Sequence, residues 1–167
     1  MSMIGKYRQV TPHELALLRQ NPGLVVQFLY GDAANESLSD RTLDIDKTWH
    51  TIHFLLTGDA WEGVLPLRNA VLGGSPLGDI DVGYGPARFL LPEEVRDTAA
   101  ALTNLPFATL EQRFNLGELA AAQIYPSVWD NRHRDDELAY LKPNYEALVQ
   151  FFAQAAEGDN AMLLYIT

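Results

Sequence analysis

Residues 136–166 read DELAYLKPNYEALVQFFAQAAEGDNAMLLYI: a long amphipathic segment, a turn and a short apolar run. Leu138, Leu141, Tyr145, Leu148, Phe152 and Ala155 recur at spacings of three and four, which places them along one face of a helix from about Asp136 to Glu157. Pro143 has no amide hydrogen to give to a helix interior, so it is expected to kink this helix or split it in two. Gly158-Asp159-Asn160 then turns the chain. The unbroken apolar run from Ala161 to Ile166 has the pattern of a strand in the interior of a sheet.

Upstream of that unit, Gly85 to Leu91 reads as another strand, and Pro92-Glu93-Glu94 suits the first turn of a helix whose apolar face is Val95, Ala99 and Leu102. A further helical stretch spans about Phe107 to Gln123, with a break near Asn115-Leu116-Gly117 and a stop at Tyr125-Pro126. At the other end of the chain, Met3 to Val10 reads as a strand. Thr11-Pro12-His13-Glu14 has capping-box spacing with proline at the first helical position. Asn21-Pro22-Gly23 ends that helix. Gly23 to Tyr30 follows as a short helix or a buried strand, with helix the favoured reading.

Gly31 to Asp40 is a polar loop, and Leu43 to Leu56 has the clearest helical pattern in the chain. Ile45, Trp49, Ile52 and Leu56 fall within about 60° of one another at 100° per residue, so this stripe faces the core. Thr57 to Gly85 differs in composition. Its seven glycines and two prolines predict irregular backbone, either functional or hiding short elements such as one around Leu65 to Leu72. The sum is about three strands packed against several helices with no βαβ alternation, an α+β fold in a single domain over residues 1–167.

Composition narrows the function classes. The chain has no cysteine, which removes disulfides, thiolate metal sites and thiol nucleophiles and fits a reducing, cytoplasmic compartment. The first ten residues lack the apolar run of a secretory signal, and no segment has the ~20 apolar residues that cross a bilayer. With 12 basic against 22 acidic residues the net charge is −10, which disfavours nucleic acid and anionic lipid as partners and suits a basic protein partner or plain solubility.

Three groups of residues could carry chemistry. Asp46, His50 and His53 lie within about 60° on one flank of the Leu43–Leu56 helix, where they could ligate a divalent metal or form an acid/base pair with an orienting carboxylate. The H-E-x-x-H pattern is absent, and the plainer alternative is a helical polar pair with His53 at the core margin. Arg88 is a candidate anion contact for the same site, roofed by Gly73 to Gly85. Tyr125, Trp129, Arg132, His133 and Arg134 form an aromatic and basic cluster of the kind favoured at protein interfaces, with Trp129 alternatively a buried anchor. The glycines at 73–78 and 83–85 match neither a dinucleotide nor a Walker pattern, and no G-x-S-x-G elbow occurs. No cofactor is implied.

The run Asp46-Lys47-Thr48-Trp49-His50-Thr51-Ile52-His53-Phe54-Leu55-Leu56, then Gly73-Gly74, Tyr84-Gly85-Pro86-Ala87-Arg88 and Pro92-Glu93-Glu94-Val95, resembles the YfbM-like family of small uncharacterised bacterial proteins. The resemblance extends over nearly the whole chain, and the segment around Trp49 is its most specific part. It implies a bacterial, cytoplasmic α+β domain and brings no activity or site residue with it. The residues themselves favour a protein-binding or interaction module, with a metal-dependent or acid/base enzyme on the Asp46-His50-His53 flank as the alternative.

Overall fold

The computed structural model describes residues 1–31 and 39–167. Ala161–Ile166 (β5) is the middle strand of a five-stranded antiparallel sheet in the order β2-β1-β5-β4-β3. Gly5–Val10 (β1) pairs along the whole of β5, from Gly5 opposite Ile166 to Val10 opposite Ala161. Pro86–Leu90 (β4) pairs with its other edge, Arg88 opposite Leu164. Thr42–Asp44 (β2) and Ser75–Asp81 (β3) form the two outer strands.

The apolar run of β5 is explained by helices on both faces. Successive strand side chains point to opposite faces. Met162 and Leu164 enter the larger core, built with Trp49–Thr57 (α3), Pro92–Thr103 (α4), Phe107–Arg113 (α5), Leu116–Ala121 (α6) and Arg134–Glu157 (α7). Ala161, Leu163 and Tyr165 enter a smaller core against Pro12–Gln20 (α1) and Val25–Tyr30 (α2). Local chemistry sets the helix starts. The Thr11 hydroxyl accepts from the Glu14 amide at 3.1 Å while the Glu14 carboxylate accepts from the Thr11 amide at 2.8 Å. Asn115 caps α6 by accepting from the Glu118 amide at 3.0 Å, which is the break expected at 115–117.

Several expectations change. The sheet has five strands rather than about three. The three read from sequence are the central ones, and the two added are edges, one only three residues long and the other holding Pro76, a residue confined to edges because it cannot donate to a ladder. The Leu43–Leu56 helix starts at Trp49 instead. Leu43 lies in β2, and Asp46, at φ 51°, starts a 3₁₀ turn that precedes α3. Ile45 is buried as its spacing predicts, although it is not helical. Pro143 sits inside α7 without dividing it. The polar loop read at Gly31 to Asp40 lies largely outside the described residues.

One contact ties the sheet to α3. A Cβ built on Gly5 would lie 2.7 Å from Trp49 Cβ, so only glycine lets β1 pass this close beneath the helix. Gly5→Ala is therefore expected to destabilise the fold by about 2 kcal/mol through overpacking, read as a lowered urea midpoint. An unchanged midpoint would mean that the helix is not seated on Gly5.

Candidate functional site

The flank of α3 holds two buried imidazoles, and both serve the loop that follows the helix. Gly58, at φ 76°, ends α3 in the left-handed conformation that a Cβ disfavours, and the chain then doubles back over the helix. The Tyr125 amide donates to His50 Nδ1 at 2.9 Å, so that nitrogen carries no proton. His50 Nε2 is therefore the protonated nitrogen and donates to the Ala60 carbonyl at 2.8 Å. A carbonyl can only accept, so His53 Nε2 donates to the Glu62 carbonyl at 2.9 Å, and its Nδ1 is buried without a partner among the described residues. Burial holds both imidazoles below their usual pKa, His53 at about 4.

The remainder of the irregular segment is held in the same manner. Tyr7 Oη donates to Ala70 O at 2.6 Å, and the Arg88 guanidinium donates to Val71 O at 2.9 Å and to Gly73 O at 2.7 Å. Asp59 Oδ1 accepts from the amides of Trp61 and Glu62 at 2.9 and 2.8 Å, closing the turn from inside the loop. What the clamped loop displays is apolar. Trp61 is 58% exposed, Val64 82% and Leu65 63%, with the Trp61 ring lying over His50 at 4.4 Å between centroids.

The sequence candidates are thus brought together only in part. Asp46 lies ahead of the helix and accepts a hydrogen bond from Tyr140 Oη, away from the bonds made by His50 and His53. Among the described residues no group of three or more His, Asp or Glu side chains is arranged to hold a metal ion. Arg88, read as an anion contact, is committed to two loop carbonyls. Trp129 is a buried anchor, its indole donating to Ile124 O at 2.8 Å and its ring edge-on to Phe114. Tyr125 stacks on Trp49 and accepts from the Met3 amide. Arg132 pairs with Glu137 at 2.9 Å, Arg134 donates to Glu111 O at 3.2 Å, and His133 is exposed at the start of α7.

Two regions picked out in the sequence do meet elsewhere. The residues just before and within the first turn of α3 and the Trp129–Arg132 segment face one another, with the first turns of α7, across a cleft of about 330 Å³. Lys47, Thr51, Asp136 and Tyr140 line it, and no periodicity marked them. Trp61, Val64 and Leu65 were equally unmarked. Their signal is composition, three large apolar residues in a stretch too rich in glycine and proline to bury them.

His53 yields a pH prediction. Between about pH 6.5 and about pH 4 the unfolded chain takes up a proton at this imidazole and the folded chain does not, so stability falls as pH drops through that window and this contribution levels off below it. Urea midpoints measured across the window should show the fall. His53→Ala should remove this component and cost about 2 kcal/mol near neutrality, through the lost bond to Glu62 and the cavity left behind. A variant with the same pH profile as the parent would contradict this role.

A family model described as a domain of unknown function (DUF1877) matches residues 1–165. Protein YfbM of Escherichia coli (strain K12) is 27% identical over 171 residues, covering 99% of this chain and 99% of that protein. The crystal structure of YfbM from Escherichia coli, a protein of unknown function, is similar with a TM-score of 0.75 at 25% identity, covering 98% of this chain and 99% of that one. With the match running through residues 1–165, the chain belongs to the DUF1877 family of domains of unknown function.

Proposed function

We propose that this chain is a cytoplasmic protein-interaction module that docks a basic partner on the loop carrying Trp61, Val64 and Leu65. The observation that carries the reading is the exposure of those three side chains, 58, 82 and 63%, on a backbone fixed from beneath by His50 and His53. A large apolar patch facing water is a recurrent mark of an interaction site. Fixing it beforehand lowers the ordering cost of association. A tryptophan at its centre suits a hot spot. The partner's charge follows from the net −10 of the chain and from the carboxylate of Asp59 near Trp61, Glu62 being paired with Arg68 at 3.2 Å. Binding is preferred over catalysis because His50 uses both ring nitrogens, and His53 one, to hold backbone groups. The absence of cysteine fits the cytoplasm.

The test is cross-linking and capture from bacterial lysate with the parent chain and with a Val64→Asp, Leu65→Asp variant. Both changes are on the exposed surface, where stability effects are within about 0.5 kcal/mol, so the variant should match the parent in urea. The reading expects one basic protein held by the parent, released by salt and lost with the variant. Equal retention by both chains, or none by the parent, would overturn it.

A further inference from the structure

A second binding feature, independent of the exposed loop, is the cleft between α3 and α7. We propose that it binds a small zwitterion with an apolar body, of the class of free apolar and aromatic amino acids. Its carboxylate would meet Lys47 and Thr51, and its ammonium group Asp136.

The size suits such a ligand. A volume of about 330 Å³ is at the low end of small-molecule sites. Phe114, Trp129 and Leu141, all buried residues, line it with apolar surface. Thr51 lines it too and is 3% exposed, yet its hydroxyl makes no hydrogen bond among the described residues. That hydroxyl oxygen is not itself fully buried, so it faces the cleft's water, which a ligand carboxylate can replace.

Charge then selects the ligand. Lys47, Arg132, Asp136 and Glu137 all line the cleft, two positive and two negative, so a ligand with a net charge gains nothing overall. Arg132 and Glu137 neutralise one another at 2.9 Å. Among the described residues the Lys47 and Asp136 side chains make no ion pair and no hydrogen bond, which leaves one cationic and one anionic pole. The fold brings both to one cleft: Asp46, the neighbour of Lys47, is held by Tyr140, which follows Asp136 by about one turn of α7. A molecule with an ammonium and a carboxylate on one carbon offers each pole a charge-assisted partner.

The experiment is a titration of the full chain, followed by amide and indole NMR shifts, with L-phenylalanine and L-leucine, and with N-acetyl-phenylalanine and phenylalanine amide as blocked probes. The proposal expects saturable shifts at Thr51, Tyr140 and the Trp129 indole, with each blocked form at least about tenfold weaker. Lys47→Gln and Asp136→Asn should each weaken the free amino acids by a similar factor while leaving the thermal midpoint near that of the parent, since among the described residues neither side chain makes an ion pair or a hydrogen bond. No saturation by about 10 mM with either amino acid would overturn it, as would equal binding of the blocked forms or shifts confined to other residues. The outcome is separate from partner capture on the loop, so either can fail alone.

Discussion

From Gly58 to Gly74 the chain crosses the larger core without a strand partner, and each carbonyl it turns inward must find a donor, since a buried backbone group left unpaired costs about 1–3 kcal/mol. The donors come from regular structure beneath. His50 and His53 on α3 take Ala60 and Glu62, Tyr7 on β1 takes Ala70, and Arg88 on β4 takes Val71 and Gly73. These four side chains take five of the segment's carbonyls, from a helix and two neighbours of the central strand. The segment thus has a defined shape without a ladder. Burial keeps the imidazoles neutral and lowers the pKa of Arg88, whose guanidinium is met by carbonyl dipoles with no carboxylate at hand.

The same arrangement decides what is available for function. Residues that look catalytic in the sequence, the two histidines above all, are consumed in holding backbone. Among the described residues, groups that make no such bonds include the apolar side chains of the clamped loop and Lys47, Thr51 and Asp136 at the cleft. Helix α3 joins these features. Its first turn helps to form the cleft, and its later turns carry the donors that fix the loop. Because Gly5 seats Trp49 directly on β1, both features are referenced to the sheet rather than to a mobile element.

Much of the fold could be read from local chemistry. The Thr11–Glu14 box, the 3-and-4 spacing of α7 and the apolar run of β5 each reflect a constraint that acts within a few residues, and each has its expected form. The missing parts depended on distant residues. β2 is three residues that hydrogen-bond only because β1 passes by, and β3 has Pro76 and Gly78, which read as loop in isolation. Ile45 kept the helical spacing while Asp46 left the helical backbone, so burial was legible and the helix start was not. For the site, the sequence picks out His50 and His53 as candidate metal ligands or acid/base groups, whereas in the structure their ring nitrogens bond backbone groups. Their roles depend on Ala60, Glu62 and Tyr125, a loop and a distant segment that no spacing rule connects to α3.

The protonation state of the two imidazoles tests this account most directly, because loop clamping requires both rings to be neutral with the hydrogen on Nε2. Long-range proton–nitrogen correlation spectra of His50 and His53 at neutral pH report which ring nitrogen carries hydrogen. The account predicts two neutral rings, both protonated at Nε2, with His53 staying neutral well below the ordinary histidine pKa. A ring protonated at Nδ1, or a His53 that titrates near about 6.5 like a free imidazole, would contradict it.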